Sequence, residues 1–147
     1  MSSIVRYQKV TDDWTTHALD APGDAGCQEL CTLDDGYTYV SVPDGVTLPA
    51  QLPAIAATLE TVTLTDPLRA AIKSASPHCQ LIAERVIERI RAKYTVDDEL
   101  YIARIAVGAL QGSYVLLPGE AERIAAYQAD IEAAREWGRQ QRAALGL

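Results

Sequence analysis

The chain has 147 residues, 48% hydrophobic and 22% charged, with a net charge of −7. That composition suits one globular domain, or a small module followed by a helical bundle. The acidic balance argues against broad binding to a phosphate backbone, which needs a basic face, and no apolar run approaches the ~20 residues that cross a bilayer.

The charge is unevenly spread. Residues 1–66 hold two basic residues, Arg6 and Lys9, against ten acidic ones, whereas residues 67–147 hold eleven basic against ten acidic. The front is rich in Gly, Pro, Thr and Asp with short β-like runs, and the rear reads as amphipathic helices. The expected fold class is therefore α+β: a small acidic β-rich module over 1–66, then a helical region of three to four helices over 67–147. The bridge at residue 66 is short, so one integrated α+β unit fits equally well. The first residues lack a charged stretch followed by an apolar one, so no secretory leader is expected. Three cysteines, an odd number, fit free thiols in a reducing compartment.

In chain order, residues 4–10 (IVRYQKV) alternate as a strand, with Val5 and Tyr7 on one face and Ile4, Arg6 and Gln8 on the other. A second strand over 15–19 would form a hairpin with it across Thr11-Asp12-Asp13, with Trp14 following the turn. Residues 27–33 fit either a strand or a single turn. Residues 37–42 are the clearest strand, with Tyr37, Tyr39 and Ser41 on one side and Thr38, Val40 and Val42 on the other. Pro43-Asp44-Gly45 stops it. Residues 54–60 suit a short helix or a connector, and 61–64 a short strand.

The rear half opens at Thr65-Asp66-Pro67, where Thr or Asp can cap and proline suits the first turn. A short helix ends near Ser74, and Ser76-Pro77 starts a second, over about 78–94. Its apolar stripe is Cys79, Ile82, Ala83, Val86 and Ile90. Thr95 caps a third helix whose first turn carries Asp97, Asp98 and Glu99, with Ala103, Ala106, Val107 and Leu110 at bundle-like spacing. Pro118-Gly119 opens the last helix, over about 120–145, with Ile124, Tyr127, Ile131, Ala134 and Gly138 on one stripe.

Candidate chemistry is sparse. Cys27, Cys31, His78 and Cys79 supply four soft atoms, the basis of an alternative reading as a small metal-binding or cysteine-dependent enzyme domain. The spacing is not that of a zinc knuckle, and no motif fixes a histidine beside a cysteine. Arg85, Arg89, Arg91 and Lys93 give the second helix a basic end. It would serve an acidic partner, the acidic front half or, as a further alternative, a nucleic acid. The simplest account is a solvated face matched to the helix dipole. No phosphate loop, nucleophile elbow or His-Glu-x-x-His occurs, and no cofactor, metal ligand or catalytic residue is assigned.

Two stretches carry a resemblance. Residues 29–51 (ELCTLDDGYTYVSVPDGVTLPAQ) resemble a strand–Pro-Asp-Gly–Leu-Pro segment of short proteins encoded near tail genes of Mu-like prophages. Residues 127–147 (YQADIEAAREWGRQQRAALGL) are similar to C-terminal helices of phage tail-fibre-associated proteins, where Trp-Gly precedes a basic helical end. The resemblance implies a non-enzymatic accessory or chaperone-like protein of tail or tail-fibre assembly, in the host cytoplasm or on the virion. Its partner would be another phage protein, such as a tail fibre, with homo-oligomerisation as a further mode. The expected partner-binding residues are the rings Tyr37, Tyr39 and Trp137 and the guanidinium groups of Arg85 and Arg89.

Overall fold

A computed structural model describes residues 2–147. Its elements are β1 (Ser2–Tyr7), β2 (Val10–Asp12), β3 (Thr15–His17), β4 (Gln28–Thr32), β5 (Thr38–Pro43), α1 (Pro53–Ala56), β6 (Glu60–Thr61), α2 (Asp66–Ala75), α3 (Pro77–Arg91), α4 (Val96–Leu110) and α5 (Glu120–Ala144). The α+β order expected from sequence is present: an antiparallel sheet region first, helices after it. The chain divides into two compact units, Met1–Ile82 with Gln140–Leu147, and residues 83–139. The boundaries fall inside α3 and α5, not at the compositional step near residue 66.

In the first unit, four strands pair in the order β4-β5-β1-β6. β1 lies antiparallel to β5, with Val5 opposite Val40 and Arg6 opposite Tyr39. Strand alternation then sends neighbouring side chains to opposite faces. One face buries Val5, Tyr7, Val40 and Val42 against Ile55 of α1. The other buries Ile4 and Tyr39 with Leu30 and Cys31, beneath Ile72 of α2, Cys79 of α3 and Leu147. Both faces are covered, so the central strands are buried almost throughout.

The hairpin expected from the first strand forms differently. β1 stops at Tyr7, and the Gln8 N–H donates to the Thr58 hydroxyl at 3.0 Å. The chain then leaves the sheet, and β3 pairs with β2 as a separate two-stranded ribbon. The ambiguous stretch over 27–33 is a strand with an irregularity between Glu29 and Cys31.

Two helices, α2 and α4, start at side-chain caps. The Thr65 hydroxyl accepts from Leu68 N–H, and Thr95 with Asp98 completes a capping box. Within the first unit the chain's last residues return beside β1: the Ser2 hydroxyl donates to the Ala144 carbonyl at 2.7 Å, and Leu147 is buried in the Ile4–Ile72 core. Gly146 permits this approach. Its φ is +82°, and a Cβ there would come within 2.8 Å of the Ser2 carbonyl oxygen. Gly146→Ala should therefore destabilise the protein by about 1–2 kcal/mol from left-handed strain alone. The expected readout is a lower urea midpoint by far-UV circular dichroism; an unchanged midpoint would refute the close approach.

Candidate interaction surfaces

The β2–β3 ribbon places Asp12 opposite Thr15, leaving Asp13 and Trp14 as a two-residue tip. Cross-strand side chains hold it: the Thr11 and Thr16 hydroxyls meet at 3.1 Å, and His17 Nε2 lies 2.9 Å from an Asp12 carboxylate oxygen. Trp14 is 98% exposed, so its indole touches almost nothing of its own chain. Tryptophan has no special fitness for a tight turn, where Gly, Asn, Asp and Pro supply the needed geometry. Its presence at the tip is not a requirement of folding.

The five partner-binding residues expected from sequence separate. Tyr39 is fully buried and donates its hydroxyl to Asp35 at 3.0 Å, so it is a core residue and not an exposed ring. Strand alternation directs it into the core beneath α2. Tyr37 is half-buried, with the Arg6 guanidinium 4.4 Å from its ring centroid. Arg89 and Trp137 do come together in the second unit, the guanidinium 4.1 Å from the indole centroid. Such a contact stabilises both side chains where they lie. Arg85 is exposed.

The remaining basic residues of that cluster have acidic partners within the second unit. Arg91 pairs with Glu99 at 2.5 Å, and Lys93 with Asp130 at 2.5 Å. The Tyr94 hydroxyl donates to the same Asp130, and its ring packs edge-on against Tyr127. A basic stripe open to phosphates is thus reduced by the unit's own carboxylates.

The four soft atoms do not gather. Cys31 and Cys79 lie in the core beneath α2, whereas Cys27 packs against the core on the opposite face of the sheet. The irregularity between Glu29 and Cys31 breaks the expected alternation along β4. Burial pushes the Cys31 thiol up to about 11, which disfavours the thiolate a nucleophile needs. Among the described residues, no cluster of three or more His, Cys, Asp or Glu could hold a metal ion.

A second feature missed from sequence is the outer face of α4. Of the expected stripe, Ala106 is half-buried, whereas Ala103, Val107 and Leu110 are exposed, Val107 by 50% and Leu110 by 88%. The buried line is instead Ile102 and Ile105. At 3.6 residues per turn those positions point away from the expected stripe. Beside the outer face runs a surface cleft of about 610 Å³, bordered by Ala103, Val107, Gly108 and Tyr114. Gly108 lets the following loop cross closely, since a Cβ there would sit 2.8 Å from Tyr114 Cβ. Buried Glu120 secures that loop, accepting from the hydroxyls of Tyr101 and Tyr114 and from Leu117 N–H.

Family models, curated proteins and solved structures gave no match to this chain. No helix among the described residues is long and apolar enough to cross a membrane.

Three carboxylates of the second unit sit below their ordinary values. Hydrogen bonds from Tyr101 and Leu117 N–H lower Glu120, those from Thr95 lower Asp98, and those from Lys93 and Tyr94 lower Asp130. Each folded value lies below the ordinary 4.5 of Glu or 3.8 of Asp. Their stabilisation is complete above those ordinary values and is lost as pH falls through the depressed ones. Helix melting followed by circular dichroism should therefore shift down between about pH 6 and about pH 3, and Asp130→Asn should shrink that shift. An equal shift in the variant would remove Asp130 from the account.

Proposed function

We propose that this chain is a non-enzymatic protein–protein interaction protein, an accessory or chaperone-like factor in phage tail or tail-fibre assembly. It would act in the host cytoplasm or on the virion. One observation carries the interaction reading: Trp14, 98% exposed at the tip of a two-stranded ribbon that is not hydrogen-bonded into the main sheet. A large apolar ring held in water by a short hairpin is an anchor without its socket. Tryptophan is prominent among the residues that dominate interface energies.

The surroundings describe the socket. Asp12, which contacts His17, and Asp13 precede the indole in the chain, and Asp20 and Asp24 follow in the next loop. An acidic finger is repelled by phosphate backbones and anionic lipid, so the fitting surface is an apolar slot on a protein, rimmed by Lys or Arg. The resemblance of residues 29–51 and 127–147 to tail-associated proteins selects the first partner to test, a tail or tail-fibre polypeptide encoded beside this chain.

Co-expression of the two, followed by gel filtration and titration calorimetry, tests this reading. The expected result is one co-eluting complex whose affinity falls at least ~30-fold in Trp14→Ala, the size of a hot-spot loss. The melting temperature should stay unchanged, because the ring packs against nothing in the free protein. Absence of a complex with any neighbouring tail polypeptide would remove the phage role. A complex indifferent to Trp14→Ala would remove the finger from the interface.

A further inference from the structure

The outer face of α4 has a pattern that its own unit does not use. Val96, Leu100, Ala103, Val107 and Leu110 follow one another at steps of four, three, four and three residues. On a helix these fall within an arc of about 80°, the spacing of a coiled-coil seam. All five are exposed, Val96 by 54%, Leu100 by 64%, Val107 by 50% and Leu110 by 88%. The opposite side of the helix buries Ile102 and Ile105, so the seam is surplus to the unit's own core.

We infer that α4 is a self-association seam and that its occupant is α4 of a second copy, packed antiparallel. The charges along the seam argue for this occupant. Asp97 and Arg104 lie on the same flank, one heptad apart. Among the described residues neither enters a close ion pair; Arg104 lies over the Tyr101 ring, 5.6 Å from its centroid, and its charge also acts on Glu120. A reversed copy with Val96 opposite Val107 brings Asp97 beside Arg104 of the second copy, and the two-fold axis repeats the pair. The same register sets Leu100 against Ala103 of the second copy, large against small, the complementarity that lets a seam interdigitate. The parallel arrangement would need Glu99 to pair with Arg104. Glu99 is already held by Arg91 at 2.5 Å and by the Tyr127 hydroxyl at 3.2 Å. Antiparallel packing also places the positive N-terminus of one helix against the negative C-terminus of the other.

The contact is isologous, so it closes at two copies. A face of fifteen helical residues is about 22 Å long and smaller than the ~800 Å² per partner of a standard interface. The pair is accordingly reversible.

Sedimentation equilibrium of the full chain over about 1 μM to 1 mM tests the seam, with thermal melts to confirm that each variant folds. Wild type should pass from monomer to dimer and go no further. Leu100→Glu, at an exposed position, should leave a folded monomer across the range. Asp97→Lys and Arg104→Glu should each weaken the dimer by at least ~10-fold, since each sets like charges together. The double variant should recover to within about threefold of wild type. Monomer throughout in the wild type, a dimer indifferent to Leu100→Glu, or charge reversals that add without recovery would overturn the proposal. Recovery in Glu99→Lys with Arg104→Glu, but not with Asp97→Lys, would overturn the antiparallel register. Trp14 takes no part in any of these measurements, so this inference and the proposed function stand or fall separately.

Discussion

The pairing of β1 with β5 is the constraint on which the first unit depends. These two strands supply the centre of both cores, because each alternates its side chains between them. Ile4 and Tyr39 serve one face, and Val5, Tyr7, Val40 and Val42 the other. A slip of one residue would exchange the faces and place Arg6 where Val5 now lies. Apolar surface on both sides therefore fixes the register more firmly than any hydrogen bond could. Arg6 can remain where it is because it sits toward the margin, bonded to Glu60 and covering the ring of Tyr37.

The second unit is held by different means. Its buried residues are few: Ile102, Ile105, Glu120, Ala134 and Gly138. Polar links between its helices supplement them, joining Arg91 to Glu99, Lys93 and Tyr94 to Asp130, and Arg123 to Asp98. Exposed pairs of this kind each contribute little, typically below about 1 kcal/mol. The unit therefore relies on many weak charge contacts where the first relies on two packed faces. It also leaves apolar side chains outward that a thicker bundle would have enclosed.

Regular elements were legible in the sequence where a local physical signal sufficed. Alternation located the strands at Val5–Tyr7 and Tyr39–Val42, and side-chain caps located the starts at Thr65 and Thr95. The α5 stripe through Ala134 and Gly138 marks the buried face, as its spacing predicts. The α4 stripe does not. That helix carries apolar residues on two faces, Ile102 and Ile105 on one, Val107 and Leu110 on the other, and periodicity alone does not say which faces the core. The candidate site fared worse for a related reason. Aromatic character picked out Tyr39, but only tertiary packing distinguishes a buried ring from an anchor. Trp14 carried a better signal, a bulky ring beside turn-forming aspartates. Its freedom became visible once β2 and β3 were seen to leave the main sheet. Of the four soft atoms, those of Cys31 and Cys79 share one core, and the sheet itself separates Cys27 from them.

The sheet's outer strands have a consequence for how this protein can associate. β6 is two residues long, and β4 is interrupted by an irregularity, so neither border presents a long flat row of free amide groups. Such borders are poor templates for adding another strand, the route by which β proteins grow into open-ended fibres. The surfaces this protein offers are therefore side chains and not free main chain. A protein that displays an unprotected indole and a bare apolar helix would otherwise risk indiscriminate aggregation. Blunt sheet borders keep those exposed groups from becoming a seed for polymerisation.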